Sequence, residues 1–232
     1  MAQSGMAKII TVFNQKGGVG KTTTTCQLAG TFGHRGYDVL VADLDEQQTS
    51  AAWLGRLKGE NFPGVVWGGH RYKGNTALEL GKLASKYELI FVDCAPSVDQ
   101  PGTWASLLVS DLAIVPTKLG PVDTEALPAA LKLAEKAQQE CGRSYPVRIL
   151  ASAYRRSRAD DRAAIVELTS NNKFPDFPLM KSYLGDRVAF TRSMLIGATA
   201  HSLSGAKDAI EEIDALTDEV AKLLKIPAFK KA

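Results

Sequence analysis

The chain has 232 residues, of which 45% are hydrophobic and 23% are charged, and its formal net charge is +3 at pH 7. Such a chain is an ordinary globular domain, long enough to form one good-sized core, and its mild charge identifies no partner. No apolar run reaches the roughly 18 residues that a membrane-spanning helix requires, and the first residues lack the long apolar core of a secretory signal. We therefore expect a cytoplasmic protein with no stable membrane association.

The three cysteines, Cys26, Cys94 and Cys141, are scattered, odd in number and set within helix or strand patterns. This distribution suits small buried side chains in a reducing compartment better than disulfides or a metal cluster. The three histidines likewise show no metal-ligand spacing.

Strand and helix patterns alternate along the whole chain, which predicts an α/β fold with a mostly parallel, twisted sheet flanked by helices on both faces. No internal repeat or low-complexity linker divides the chain, so we expect residues 1–232 to form a single domain. The predicted strands span residues 9–13, 37–43, 65–67, 89–93, 112–115 and 147–151. The predicted helices span residues 21–35, part of 46–64, 76–86, 123–139, 160–170, 187–196 and 205–225.

Individual residues refine these bounds. Gly36 is expected to cap the first helix, and Pro116 to stop the fourth clear strand. Asp123 is expected to cap the helix of residues 123–139, in which Pro128 is tolerated only near the start. The segment 174–180 holds two prolines and has no clear pattern.

The stretch KIITVFNQKGGVGKTTTT joins a buried strand to a glycine-rich turn and a helix. Glycines take positive φ readily and let a ligand approach closely, while the helix start adds unpaired N–H groups and the positive end of its dipole. The result is an anion cradle sized for a di- or triphosphate, with Lys21 as a mobile charge and Thr22 as a hydroxyl for Mg²⁺. The expected nucleotide-binding residues are Gly17, Gly18, Val19, Gly20, Lys21, Thr22 and Thr23.

Three aspartates follow two of the buried strands. Asp93 ends an apolar strand in the manner of a Walker B aspartate, and it would hold Mg²⁺ through a water or through Thr22. Asp43 and Asp45 are two residues apart, which places both side chains on one face of an extended chain, at the edge where ligands bind in open α/β sheets.

The P-loop pattern G-x-x-x-x-G-K-[ST] is incomplete, because Gln15 stands where its first glycine belongs. Instead, Lys16 to Thr22 reproduce K-G-G-x-G-K-[ST] residue for residue, so the chain resembles the ParA/MinD family of deviant Walker A ATPases. The resemblance implies a P-loop NTPase that binds ATP and Mg²⁺ and hydrolyses ATP weakly on its own. It also implies a catalytic Lys16 that reaches across a dimer interface to the partner's nucleotide, as a lysine counterpart of an arginine finger.

The resemblance also implies roles for the acids. Asp45 would position or activate the attacking water, and Asp43 would support the coordination sphere of the metal. Glu46 stands where family members often have proline, so the path of this loop is open, whereas Gln47 matches the usual glutamine.

The similarity extends through DLAIVPTKLGPVDTEAL and the run from residue 184 to 203. About seven residues precede the first strand, which leaves no room for an N-terminal helix-turn-helix, so the type resembled is the small, ParF-like plasmid partition ATPase. That type implies an ATP-bound sandwich homodimer that binds nonspecific DNA on the nucleoid. A ParB-like centromere-binding adaptor would stimulate hydrolysis and release the dimer.

A cluster of arginines offers a surface for DNA, since phosphate contacts require cations rather than shaped base readers. The alternative is a solvated basic face, partly paired with Asp160 and Asp161. The candidate DNA contacts are Arg155, Arg156, Arg158, Arg162, Arg187 and Arg192.

Three other functions stay open. A MinD-like membrane-cycling ATPase would need an amphipathic C-terminal helix on lipid, but Pro227 interrupts that segment. A ParA-like ATPase that positions another cargo, such as a chemotaxis cluster, a carboxysome or a relaxosome, would carry the same motifs. A relative of the nitrogenase iron protein would need a cysteine pair at the dimer interface, and only Cys94 lies near the site.

Overall fold

The computed structural model of the chain describes residues 6–56, 62–97, 100–170 and 174–230. Six strands of these ranges form one sheet, in which all the paired strands are parallel. The strands are β1 (Lys8–Val12), β2 (Val39–Asp43), β3 (Val65–Gly68), β4 (Leu89–Asp93), β5 (Leu112–Thr117) and β6 (Val147–Ala151). Their order in the sheet is β3-β2-β4-β1-β5-β6, so β1 lies between β4 and β5.

Helices cover both faces of this sheet, as the alternating patterns predict. They are α1 (Lys21–His34), α2 (Thr49–Leu54), α3 (Thr76–Leu83), α4 (Pro101–Leu108), α5 (Pro121–Thr124), α6 (Leu127–Cys141), α7 (Ala159–Ser170), α8 (Val188–Leu195) and α9 (Lys207–Leu224). Short 3₁₀ helices lie at His70–Asn75 and Ala200–Ser202. The α/β prediction is therefore confirmed.

Alternate side chains of each strand enter different cores, because a strand has a period of two residues. Ile10 and Val12 of β1 join a core that includes Phe32 of α1 and Ile213 of α9. Their neighbours Ile9 and Phe13 join the core on the other face, with residues of α4 and α6 such as Leu107 and Leu131. Both faces are apolar, as expected for a central parallel strand covered by helices.

Pro116 does not stop its strand, contrary to the prediction, since it lies within β5 and pairs in register with Leu150 of β6. The pairing of β1 with β5 ends at Ile114, and the Pro116 carbonyl on that side accepts a hydrogen bond from the Asn14 side chain instead. The missing N–H of the proline therefore removes no bond from the sheet.

The helix expected over residues 123–139 is two helices, α5 and α6. A continuous helix would need a hydrogen bond from the nitrogen of Pro128 to the carbonyl of Thr124, and proline has no such N–H. The chain restarts instead, with Pro128 in the first turn of α6, where an N–H has no helical partner. Asp123 accordingly lies inside α5 and does not cap the longer helix.

Several other bounds differ. No helix is predicted over residues 101–108, where the structure has α4, because this short apolar stretch has no distinct period and begins with Pro101 and Gly102. Of the helical piece within residues 46–64, α2 is described, while residues 57–61 lie outside the described ranges. The segment 174–180 runs beside β6, where the N–H of Met180 donates to the carbonyl of Ile149 at 2.8 Å. Gly36 has a φ of 91° just after α1, as its expected role requires.

The close packing of α1 generates a testable prediction. A Cβ on Gly33 would lie 2.0 Å from the carbonyl oxygen of Pro63, whereas a Cβ on Gly81 of α3 would meet no atom within 4 Å. Gly33→Ala should therefore lower the free energy of unfolding by at least about 1–3 kcal/mol through overpacking. Gly81→Ala should raise it by about 0.5–1 kcal/mol, because alanine is the better helix former.

Urea unfolding of both variants and the unaltered chain measures these changes. Equal effects of the two substitutions would contradict the packing of α1 against the segment that contains Pro63.

Candidate nucleotide-binding site

The loop between β1 and α1, residues 13–20, curls at the carboxyl edge of the sheet and is called the P-loop below. Gly18 and Gly20 have φ values of 71° and 89°, which lie in the left-handed region that favours glycine. Lys21 begins α1, so the first N–H groups of this helix lie at the end of the loop. The arrangement has the loop-to-helix geometry of an anion site.

Two side chains outside the motif hold the P-loop in place. The Asn14 amide donates to the carbonyl of Pro116 at 2.8 Å, and its oxygen accepts from the N–H of Lys16 at 3.0 Å. The Ser152 hydroxyl, at the end of β6, donates to the carbonyl of Val19 at 2.7 Å. The sequence pattern predicts no role for either residue, because neither belongs to the motif of Lys16 to Thr22.

The two lysines of the motif have different surroundings. The Nζ of Lys21 donates to the carbonyl of Lys16 at 3.0 Å, so this buried ammonium lies across the loop. Burial lowers the pKa of Lys21, while the negative charges of Asp93 and Asp45 oppose that shift. The side chain of Lys16 is half-buried and makes no hydrogen bond or ion pair with the part of the chain that the structure describes.

Asp43 and Asp93 are paired in register at the ends of β2 and β4, and both are buried. Oδ2 of Asp93 accepts a 2.5 Å hydrogen bond from the Ser50 hydroxyl, while Oδ1 is buried without a partner among the described residues. Burial, followed by the charge of Asp43, raises the pKa of Asp93 to about 7. The Thr22 hydroxyl is near enough to oppose this rise but does not complete a hydrogen bond to Oδ1.

Oδ1 of Asp93 and the Thr22 hydroxyl are suited to hold a magnesium ion. A carboxylate oxygen with no protein partner and a nearby threonine hydroxyl are hard oxygen donors, and Mg²⁺ is commonly held by few protein ligands together with phosphate oxygens and waters. The described residues contain no group of three or more His, Cys, Asp or Glu that could hold a metal by themselves. The fit therefore depends on a bound phosphate next to Asp93.

Asp43 contacts the backbone that follows β2. Its Oδ1 accepts from the N–H of Asp45 at 3.0 Å, and its Oδ2 accepts from the N–H of Ala51 at 2.9 Å. Burial raises the pKa of Asp43, and these two hydrogen bonds oppose the rise. Asp43 thus orients residues 44–48, called the acidic loop below, and the start of α2.

Asp45 lies half-buried in the acidic loop. Its Oδ1 accepts from the N–H of Gln47 at 2.9 Å, and its carbonyl accepts from the N–H of Gln48, whose φ is 50°. Asp45 is also close enough to raise the pKa of Lys21. The structure therefore brings Asp45, Lys21 and Asp93 to one edge of the sheet, as their positions after strands predict.

A cavity of about 170 Å³ adjoins the P-loop on the side of β6. It is lined by Gly18, Val19, Gly20, Thr23, Thr24, Lys118, Ser152, Ala153, Leu184, Gly185, Asp186, Arg187, Phe190 and Thr191. One lining residue, Ala153, has a φ of 50°, which is strained for a residue with a Cβ. No single sequence motif marks this cavity, because its walls come from four separate parts of the chain.

The arginine cluster divides into paired and unpaired members. Arg155 donates to Asp186, and Arg187 pairs with Asp208 at 2.8 Å and Glu212 at 2.7 Å. The expected partners Asp160 and Asp161 form no ion pair with these arginines in the described ranges; Asp161 instead accepts from the backbone N–H of Arg155. The remaining candidates are exposed, with no carboxylate partner among the described side chains: Arg156, Arg158, Arg162 and Arg192.

The C-terminal segment folds back onto α1. The Tyr37 hydroxyl donates to the carbonyl of Pro227 at 2.6 Å, and the guanidinium of Arg35 lies 4.6 Å from the ring centre of Phe229. Within the described ranges, every helix is too short or too polar to cross a membrane.

The buried Asp93 generates a prediction about pH. Its folded pKa of about 7 lies above its ordinary value of 3.8, so the folded state binds more protons in this interval and the contribution of Asp93 to stability falls as pH rises from about 4 to about 7. Without metal or nucleotide, Asp93→Asn should remove this fall. The variant should gain up to about 4 kcal/mol relative to the unaltered chain between pH 4 and pH 8, at about 1.36 kcal/mol per unit.

Urea unfolding of both proteins in EDTA across this range measures the difference, which isolates Asp93 from the other titrating groups. Parallel stability curves for the two proteins would contradict the burial of an unpaired Asp93 oxygen.

Known proteins resemble this chain along most of its length. Residues 10–229 match the family model of the CobQ/CobB/MinD/ParA nucleotide binding domain. Maintenance of carboxysome distribution protein A of Halothiobacillus neapolitanus is 23% identical over 94% of this chain and 98% of its own length. The chromosome-partitioning ATPase Soj of Thermus thermophilus is 32% identical over 47% of this chain and 54% of its own length. The chain spans about half or less of the length of most curated relatives that it matches.

Among solved structures, McdA of Cyanothece has the same fold in its apo form, with a TM-score of 0.79, 14% identity and coverage of 92% of this chain and 99% of that one. A variant of that McdA in complex with ATP gives a TM-score of 0.77 at 13% identity, covering 97% and 99% of the two chains. The family model spans nearly all of the described residues, including the P-loop and both strand-end aspartates. The chain therefore belongs to the CobQ/CobB/MinD/ParA family of nucleotide-binding domains.

Proposed function

We propose that this chain is a ParA-type partition ATPase that binds ATP with Mg²⁺, pairs face to face with a second copy and then binds DNA without sequence preference. The observation that carries the proposal is the pair of lysines in the P-loop. Lys21 bonds within its own loop, whereas the Lys16 side chain has no hydrogen-bond or ion-pair partner among the described residues. A lysine side chain with no partner among the described residues of its own subunit is available to a nucleotide bound by another subunit.

Different residues of the site are proposed to contact the phosphates, the metal and the nucleoside of ATP. The P-loop N–H groups and Lys21 hold the phosphates, and Thr22 with Asp93 holds Mg²⁺ beside them, the acid directly or through water. Thr23 and the cavity beside Ser152 and Ala153 receive the nucleoside. When bound, Mg²⁺ offsets phosphate charge that would otherwise face Asp93.

Hydrolysis requires a positioned water, and Asp45 is the proposed group for it. Oδ1 of Asp43 orients this loop and Oδ2 orients α2, so we assign Asp43 as a positioning residue more than a metal ligand. Lys16 of one subunit stabilises the developing phosphate charge in the other.

The DNA surface is proposed to consist mainly of the unpaired arginines. Arg155 and Arg187 face carboxylates at short range, so releasing them to phosphate would leave those carboxylates without partners. Arg156, Arg158, Arg162 and Arg192 carry no such cost, and cations of this kind suffice for contacts that ignore sequence.

The relatives support two candidate cargoes. Partition of DNA through a ParB-like adaptor, in the cytoplasm and on the nucleoid, is supported by the resemblance to Soj. A second candidate is the positioning of a protein assembly such as a carboxysome, because the Halothiobacillus relative that carries that name aligns along nearly the full length of both chains. Both candidates share the ATP site and the DNA surface, and they differ in the adaptor.

The cross-subunit assignment predicts the behaviour of two lysine variants. Lys21→Ala should abolish ATP binding, because it removes the charge at the phosphates. Lys16→Ala should still bind ATP but should remain a monomer with ATP and Mg²⁺. Light scattering after size exclusion measures the mass, with Lys86→Ala as a control on an exposed lysine away from the P-loop. An ATP-dependent dimer of Lys16→Ala would contradict the assignment.

Nucleotide-switched DNA binding tests the proposed function as a whole. We expect a random-sequence duplex to be bound only with ATP and Mg²⁺, not with ADP or without nucleotide, and affinity to fall steeply between about 50 and 200 mM salt. Asp45→Ala should bind DNA more persistently, since slowed hydrolysis prolongs the ATP-bound dimer. Absence of DNA binding in every nucleotide state would overturn the proposal and make liposomes the next surface to test.

Arginine variants complete this test. Replacing Arg156, Arg158 and Arg162 together by alanine should weaken binding to all sequences alike and reduce the salt slope by about one for each DNA phosphate that is no longer neutralised. Arg143→Ala is the matched control, because Arg143 is exposed but pairs with Asp111 at 3.6 Å, before the amino end of β5. An equal loss of affinity in both proteins would argue against a localised DNA surface.

A further inference from the structure

We propose that Ser50 is a positioning residue that links the magnesium side of Asp93 to α2 and the acidic loop. This role rests on the proposed function, since it concerns the same metal and nucleotide. Ser50 lies outside the motif of Lys16 to Thr22.

Ser50 is fully buried near the start of α2. Its hydroxyl donates to Oδ2 of Asp93 at 2.5 Å and accepts a hydrogen bond from the thiol of Cys26 at 3.5 Å. A serine hydroxyl has a single proton, so the thiol donor on one side and the carboxylate acceptor on the other define its direction. The three side chains form a buried chain of hydrogen bonds from α1 through α2 to β4.

The same helix has a second tie to the strand ends. The N–H of Ala51, next to Ser50, donates to Asp43, which is the register partner of Asp93. At its other end α2 is held by buried packing, with the Trp53 ring nitrogen donating to the carbonyl of Ala198 at 3.0 Å. Two adjacent residues of α2 thus contact two aspartates that are neighbours in the sheet, and both of these contacts lie in the half of α2 that follows the acidic loop.

The two oxygens of Asp93 are divided between these neighbours. Ser50 holds Oδ2, and Oδ1 has no described partner and is the oxygen left for a cation or its water. Because the carboxylate is rigid, a cation that binds Oδ1 also restricts the position of Oδ2. The hydrogen bond from Ser50 to Oδ2 then restricts the position of α2. Outer partners of this kind orient a metal-binding group, and their loss commonly weakens metal affinity.

Two measurements on the full chain test this link, with ADP as the nucleotide and Mg²⁺ as the metal. The first is the affinity for ADP, titrated from EDTA to excess Mg²⁺. The second is hydrogen exchange of the backbone amides of α2, Thr49–Leu54, with ADP in EDTA and with ADP and Mg²⁺. In the unaltered chain we expect Mg²⁺ to slow exchange in α2 beyond the effect of ADP alone.

Ser50→Ala should bind ADP in EDTA as the unaltered chain does, because the P-loop is intact. The Mg²⁺ concentration that gives half of its effect should rise about tenfold. The slowing of exchange in α2 by Mg²⁺ should disappear. Ser110→Ala is the matched control: Ser110 is also fully buried and bonds a hydroxyl, that of Thr11 at 2.6 Å, but it lies before β5 at the opposite edge of the sheet.

Each result of these measurements bears on the proposed link between Ser50 and the magnesium side of Asp93. An unchanged Mg²⁺ response in Ser50→Ala, or the same loss in Ser110→Ala, would overturn the inference while leaving the proposed function standing. If Ser50→Ala does not fold, the unaltered chain still decides, because α2 amides that ignore Mg²⁺ in the presence of ADP would also overturn it. A chain that binds no ADP in either medium would overturn the proposed function and the inference together.

Discussion

The side-by-side burial of Asp43 and Asp93 is the constraint on which the site depends. Parallel pairing of β2 with β4 puts these carboxylates in register, and both lie where water cannot solvate them. A buried carboxylate must find donors or take up a proton. Asp43 accepts hydrogen bonds from backbone N–H groups of the acidic loop and α2. Asp93 accepts one from the Ser50 hydroxyl, and its Oδ1 has no partner among the described residues. This difference in hydrogen bonding is the basis for the two proposed roles, Asp43 as the acid that orients the loop and Asp93 as the acid that holds the metal.

The same requirement explains the P-loop. A loop that approaches a phosphate cannot use its N–H groups for internal bonds, so its conformation must be held by other groups. Here the side chains of Asn14 and Ser152 hold the loop, by bonds to the backbone of Lys16 and Val19 within the motif. Lys21 also contributes, since its ammonium bonds the loop carbonyl of Lys16.

Charged side chains at the molecular surface need a partner less than the buried carboxylates at the carboxyl edge of the sheet do. Exposed arginines can pair with local acids or stay free at little cost, because ion pairs at the surface contribute about 0–1 kcal/mol. Arg155 and Arg187 are paired and Arg156 and Arg158 are not, so the surface proposed for DNA is smaller than the count of arginines suggests. Membership of the family accounts for the nucleotide site, whereas the two proposed cargoes differ in the adaptor and share this surface.

Local patterns in the sequence determined the strands, most of the helices and the site between Lys16 and Thr22. Apolar periods and glycine spacing report on neighbours in the chain, and the strand-end positions of Asp43 and Asp93 follow from the parallel sheet. Only the tertiary structure decided that Ser50 reaches Asp93 across 43 positions and that Ser152 reaches Val19 across 133. Contacts between single polar residues at such separations produce no periodic pattern in the sequence. The passage of Pro116 through β5 was decided in the same way, since it depends on where the neighbouring strand ends.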